Sequence, residues 1–198
     1  MITLGIDPGT LFTGFGLVEK KGNACRAVHY GVISTHAKDE MPNRLKQIYD
    51  ELARVIEQYR PTKVSLETAF CGKNVQSALK LGQVRGVVMV LSMNYGLAIS
   101  EYAPREVKKA ITGNGNAAKA QVEFMVKSLL ALQGAKARAD AFDALAIALC
   151  DALFSIPFQE AITSRASTKV KTWKEFTQIH AHRIVSSHIS PFSKESTD

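Results

Sequence analysis

Residues 2–10 read Ile2-Thr3-Leu4-Gly5-Ile6-Asp7-Pro8-Gly9-Thr10, and everything downstream takes its meaning from this stretch. A mostly apolar run ends at an acid, and Pro-Gly then turns the chain. The reading is a buried strand that delivers a carboxylate at its end. Beyond it, Thr13 to Glu19 reads as a second strand, Gly22-Asn23 as a turn and Ala24 to Ser34 as a third strand. Pro42 then opens a helix. Leu45, Ile48, Tyr49, Leu52, Val55, Ile56 and Tyr59 recur in it at helical spacing. Pro61 ends that helix, and Lys63 to Glu67 forms a fourth strand that again closes on an acid.

The second half alternates in the same way. Asn74 to Met93 reads as a long helix that buries Ala78, Leu81, Val84, Val88 and Leu91. Leu97 to Tyr102 is a fifth strand, and Pro104 starts a short helix through Ala110. Gly113-Asn114-Gly115-Asn116 breaks it, and Asn116 is placed to cap a helix from Ala117 to Leu132. A last core helix runs from about Arg138 to Phe154, followed by Pro157. The fold class is α/β, a mixed sheet covered by helices. Residues 1–157 form the expected domain. Residues 158–198 form a C-terminal tail without a core pattern, expected to be partly disordered.

Charge is distributed unevenly. The 198 residues carry a net charge of +7, and the sequence pI is about 9.4. Residues 71–138 hold 10 basic and 3 acidic groups, so the whole excess lies between Glu67 and Asp140. Such a stretch suits a polyanionic partner, although a solvated basic face would look the same. Cys25, Cys71 and Cys150 are odd in number and form no Cys-x-x-Cys, so neither a disulfide framework nor a zinc site is indicated. A reducing, cytoplasmic location is expected, with no signal peptide and no membrane span.

The candidate chemistry lies in four acids. Asp140 and Asp143 are three apart on one helix face, which sets their Cβ atoms roughly 5–6 Å apart. Asp151 returns to nearly the same angle but lies about 16 Å along the axis from Asp140, and is left out of the site. Glu67, ending an interior strand, is costly to bury without a partner. Grouped carboxylates resist ionising together unless a cation offsets them, so the pattern suggests a hard-metal site. Each acid also has a plainer reading. Asp140 could simply favour a helix start, and Asp7 could cap its turn or belong to a phosphate loop.

Leu4-Gly5-Ile6-Asp7-Pro8-Gly9 with Gly14-Phe15-Gly16 resembles the opening of the RuvC family of Holliday-junction resolvases. So do Glu67-Thr68-Ala69-Phe70, Lys73-Asn74 and Ser77-Ala78-Leu79-Lys80-Leu81-Gly82-Gln83-Val84-Arg85-Gly86. Tyr102, Ala103, Arg105, Val107-Lys108, Gly113, Gly115 and Lys119 follow, and Asp140-Ala141-Phe142-Asp143-Ala144-Leu145-Ala146-Ile147-Ala148 closes the match. The resemblance covers about residues 1–156.

The resemblance implies an RNase H-like fold with a five-stranded mixed sheet flanked by helices. It implies a homodimer, formed through the Asn74–Met93 segment, that binds a four-way DNA junction. That dimer would nick two strands of like polarity, leaving 5′-phosphate and 3′-hydroxyl ends, in recombination and DNA repair. Asp7, Glu67, Asp140 and Asp143 match the family's catalytic, metal-holding acids. Two Mg²⁺ ions per site are implied, with Mn²⁺ as a possible substitute. Phe70 matches a stacking group at the crossover. Lys108 and Lys119 match basic positions near the scissile phosphate, and Lys73, Lys80, Arg85 and Arg105 are further candidate DNA contacts. Cooperation with the RuvA–RuvB branch-migration motor is also implied. Two other readings stay open: a related nuclease acting on structured RNA, and a non-catalytic junction-binding protein.

Overall fold

The computed structural model describes residues 1–68 and 75–154. They belong to a compact unit, Met1–Ser155, while a second unit, Ile156–Asp198, lies outside the described residues together with the expected tail. The elements are β1 (Ile2–Asp7), β2 (Phe12–Lys21), β3 (Ala24–Ser34), α1 (Met41–Tyr59), β4 (Lys63–Glu67), α2 (Val75–Asn94), β5 (Ala98–Tyr102), α3 (Pro104–Thr112), α4 (Lys119–Leu129) and α5 (Ala139–Phe154). The five strands form one sheet in the order β3-β2-β1-β4-β5. β1–β2 and β2–β3 are antiparallel, whereas β1–β4 and β4–β5 are parallel, so the expected mixed sheet is present. The two parallel pairings need crossovers, and α1 and α2 supply them.

Strand side chains alternate between faces, and the sequence uses this cleanly. Leu4 and Ile6 of β1, Phe15 and Leu17 of β2 and Val64 and Leu66 of β4 pack with Ile48 and Leu52 of α1 and Val84, Val88 and Leu91 of α2. The intervening residues face the other layer, where α5 packs with Val107 and Ile111 of α3 and Val122 and Val126 of α4. In β1 and β2 those intervening positions include Gly5, Gly14 and Gly16. A methyl group on Gly5 would lie 2.2 Å from the Ala144 carbonyl oxygen, and one on Gly16 would lie 2.8 Å from Leu145 Cγ. The glycines therefore let α5 rest directly on the sheet.

α5 is also tied down near its C-terminal end. Asp151 is fully buried and accepts hydrogen bonds from Thr3 Oγ1 (3.1 Å) and the Tyr102 hydroxyl (2.8 Å). Lys63 Nζ pairs with it at 2.7 Å. These partners come from β1, β5 and β4, so one carboxylate fastens the helix to three strands. A buried charge held this way is fully engaged, which agrees with leaving Asp151 out of the site.

One cap differs from expectation. α4 starts at Lys119 after Ala118, with no side-chain cap, rather than behind Asn116. The Asn116 main-chain amide donates to Asn114 Oδ1 (3.0 Å), so Asn114 closes a local turn just before the helix. The helix also ends at Leu129, before left-handed Ala131, rather than at Leu132. Among the described residues, no helix is long and apolar enough to cross a membrane.

Candidate active site

Asp7 and Glu67 end two adjacent parallel strands, whose last paired residues are Ile6 and Leu66. By alternation both acids face α5. Asp7 is paired across β1–β2 with Gly14, and a methyl group there would lie 2.0 Å from the Asp140 carbonyl oxygen. The first turn of α5 is thereby laid over the end of β1. Asp7, Glu67 and Asp143 line one cleft of about 240 Å³ together with Lys108 and Lys119. Asp140 stands one helical turn before Asp143 and does not line this cleft; its carboxylate pairs with Arg138 Nε (3.2 Å).

The loop after β1 is held rigidly. Thr13 Oγ1 donates to the Gly9 carbonyl (2.7 Å), and Thr35 Oγ1 donates to the Thr10 carbonyl (2.6 Å). Arg44, buried on α1, also donates to the Thr10 carbonyl through Nε (3.0 Å). Asp7 thus sits between a central strand and a braced turn.

The electrostatics follow from this crowding. Burial, then the charges of Asp143, Glu67 and Asp140, push the Asp7 carboxyl up to about 7, while Lys119 opposes the rise. Burial and Asp143 raise Glu67, against Lys119, Lys108 and Arg85. Burial raises Asp143, while its hydrogen bond from Lys119 lowers it. Lys119 Nζ lies 2.6 Å from Asp143 Oδ2, and that bond in turn raises the lysine. The site therefore carries more negative charge than its lysines neutralise.

Among the described residues, no three carboxylate, imidazole or thiol groups stand at the spacing of ligands around one ion. Two of the acids are instead drawn into ion pairs, Asp140 with Arg138 and Asp143 with Lys119. The donor set still suits a hard divalent cation. All four groups are carboxylates, and burial together with mutual repulsion raises Asp7.

The other expected contacts separate. Lys108 lines the cleft, and Lys119 reaches Asp143 with its side chain 65% exposed. Lys80 on α2 and Arg105 on α3 are exposed at the surface. Arg85 is not open in the same way. Its guanidinium donates to the Glu67 carbonyl and the Glu101 carboxylate. Phe70 and Lys73 lie outside the described residues.

Residues 3–151 match the family model for Crossover junction endodeoxyribonuclease RuvC. The chain belongs to the RuvC family. A RuvC of Chloroherpeton thalassium is 49% identical over 176 residues, covering 89% of this chain and 95% of that protein. The solved RuvC structure from Thermus thermophilus superposes with a TM-score of 0.72 at 35% identity, covering 78% of this chain and 95% of that one. A second Thermus thermophilus RuvC structure, in complex with a Holliday junction substrate, gives a TM-score of 0.72 at 31% identity, covering 78% and 94%. Membership makes the chain a nuclease that hydrolyses DNA, and dependence on a divalent metal goes with the RuvC family.

Sequence reasoning missed two arginines near this RuvC site. Arg44 braces the loop behind Asp7, and its place inside an amphipathic helix pattern gave no hint of a buried role. Arg138 lies over the Phe12 ring, 3.6 Å from its centroid, while pairing with Asp140. Its position two residues before Asp140 was the available signal.

Proposed function

We propose that this chain resolves Holliday junctions, using Asp7, Glu67, Asp140 and Asp143 as the metal-holding catalytic acids. The observation that carries this reading is the cleft in which Asp7, Glu67 and Asp143 meet Lys108 and Lys119, where burial first and then three neighbouring carboxylates push the Asp7 carboxyl up to about 7. The four acids would hold two Mg²⁺ ions, or Mn²⁺ in their place. Bound there, the ions would supply an activated water and charge stabilisation for the leaving 3′ oxygen. The chain's own groups do the rest. The strand ends and α5 fix the acids, and Lys108 and Lys119 offer positive charge to the scissile phosphate. Lys80 and Arg105, being exposed, are candidate contacts to the DNA backbone, and Phe70 and Lys73 keep the roles that family resemblance gives them. Nicking of two like strands leaves 5′-phosphate and 3′-hydroxyl ends.

The working form is a homodimer. On α2, Val75, Leu79, Val90 and Met93 are exposed apolar side chains, and open space faces Gly82 and Gly86. A second copy of α2 would cover this face, giving two sites for two symmetric nicks. Family membership further supports work alongside the RuvA–RuvB motor in the cytoplasm, with residues 1–157 as the nuclease domain and 158–198 as an appended tail.

The direct test is cleavage of a synthetic four-way junction in Mg²⁺, with mapping of the product ends. Wild type should cut symmetrically and Asp7→Asn should not. Equal cutting by both proteins would remove Asp7 from the site. Equally fast cutting of linear duplex would remove the junction specificity.

A further inference from the structure

Arg85 was expected to touch DNA, yet its surroundings give it different work. Its side chain is only 14% exposed, although it stands on the largely exposed helix α2. One arm of the guanidinium donates to the main-chain carbonyl of Glu67, the last residue of β4. The other arm pairs with the carboxylate of Glu101 on β5. β4 and β5 are parallel neighbours with Leu66 opposite Glu101 and Glu67 opposite Tyr102, so one planar fork spans both strand ends where the ladder stops. Val84 and Val88, flanking Arg85 on α2, are fully buried and fix the helix against the sheet. Arg85, Glu67 and Asp7 also line a common cleft, with Thr68, Leu81 and Pro104 among its walls.

We propose that Arg85 is a positioning residue for Glu67. It locks the end of β4 to α2 and to Glu101, and does not act as a phosphate contact. The inference rests on the proposed role of Glu67 as a metal-holding acid. A single lysine ammonium cannot reproduce the two-armed bridge, so Arg85→Lys should behave almost like Arg85→Ala.

The test uses the full chain and a four-way junction. Junction affinity is measured without metal across a salt series, Mn²⁺ affinity by calorimetry, and single-turnover cleavage at saturating protein. Arg85→Ala and Arg85→Lys should bind junction within about twofold of wild type with an unchanged salt slope. Both should weaken Mn²⁺ binding and slow saturated cleavage by about 10- to 100-fold. Glu101→Gln should shift the same quantities in the same direction, and adding it to Arg85→Ala should make little further difference. A salt slope shallower by about one, with an unchanged saturated rate, would overturn the proposal in favour of a phosphate contact. A lower melting temperature with unchanged Mn²⁺ affinity would overturn it in favour of a purely structural role. Glu67→Gln serves as the reference. If it cleaves like wild type, the assignment of Glu67 falls and this proposal with it. If it is inactive, the Arg85 results bear on the proposal alone.

Discussion

Gly14 and Asp140 touch through their backbones: a methyl group added to Gly14 would sit 2.0 Å from the Asp140 carbonyl oxygen. The contact links the strand partner of Asp7 to the helix turn that carries Asp140, so the floor and the wall of the site share one van der Waals surface.

That contact predicts that Gly14→Ala displaces the start of α5. The overpacking should cost about 1–3 kcal/mol, because the obstacle is main chain and cannot swing aside. Calorimetry should show a lower melting temperature, and junction cleavage should fall by more than the loss of folded protein explains. Wild-type values on both counts would show that α5 is free to shift.

Asp7 predicts a pH dependence of stability. Its folded value of about 7 stands above the ordinary 3.8, so between these values the folded state holds a proton that the unfolded state has lost. Stability without metal should therefore fall as pH rises from about 4 to 7 and level off above. The cost is on the order of 4 kcal/mol when complete. Thermal melts in chelator should show this decline for wild type, and a flatter profile with higher stability at pH 8 for Asp7→Asn. A wild-type curve rising over that window would contradict the crowding of the acids.

Lys119 lowers Asp7, Glu67 and Asp143 together. Its removal in Lys119→Gln should push all three carboxyls upward and move the acid limb of the pH–rate profile to higher pH. The pH profile of single-turnover cleavage would reveal this. A uniform loss of rate with an unmoved limb would mean that the lysine acts on the DNA alone.

Arg138 holds Asp140 while lying on Phe12. A cation that binds Asp140 competes with that guanidinium for the carboxylate's charge, so Arg138→Gln should tighten Mn²⁺ binding severalfold. Titration calorimetry reads this directly, and unchanged affinity would show that the ion pair opens without cost.

The exposed face of α2 predicts that Val90→Glu with Met93→Lys yields a monomer. Sedimentation should show half the mass of wild type. An undiminished mass would place the second copy elsewhere.

Much of this arrangement was legible in the sequence because strands advertise their ends. The acids at Asp7 and Glu67 close apolar runs, and the Asp140–Asp143 spacing marks a helix face. What the sequence did not expose were the long-range partners. Nothing near Arg85 in the chain announces Glu101, which lies 16 positions on. Asn116 was misread as a cap because the helix starts two residues later, behind Ala118, while the Asn116 main-chain amide closes a local turn onto Asn114. Lys119 was expected near the scissile phosphate by family resemblance, but its pairing with Asp143 became visible only once α4 brought the two together.

The way α5 is fastened has a consequence for motion. Its first turn rests on Gly14 and Asp151 ties its last turn to three strands, so the length between them is anchored at both ends. The amides beyond its first turn, with those of β1, should be among the last to exchange with solvent, opening only when the whole unit unfolds. Asp140 and Asp143 therefore project from a helix that is anchored at both ends. On the proposed reading of these acids, a junction would have to accommodate itself to them, and the work of fitting would fall on the nucleic acid.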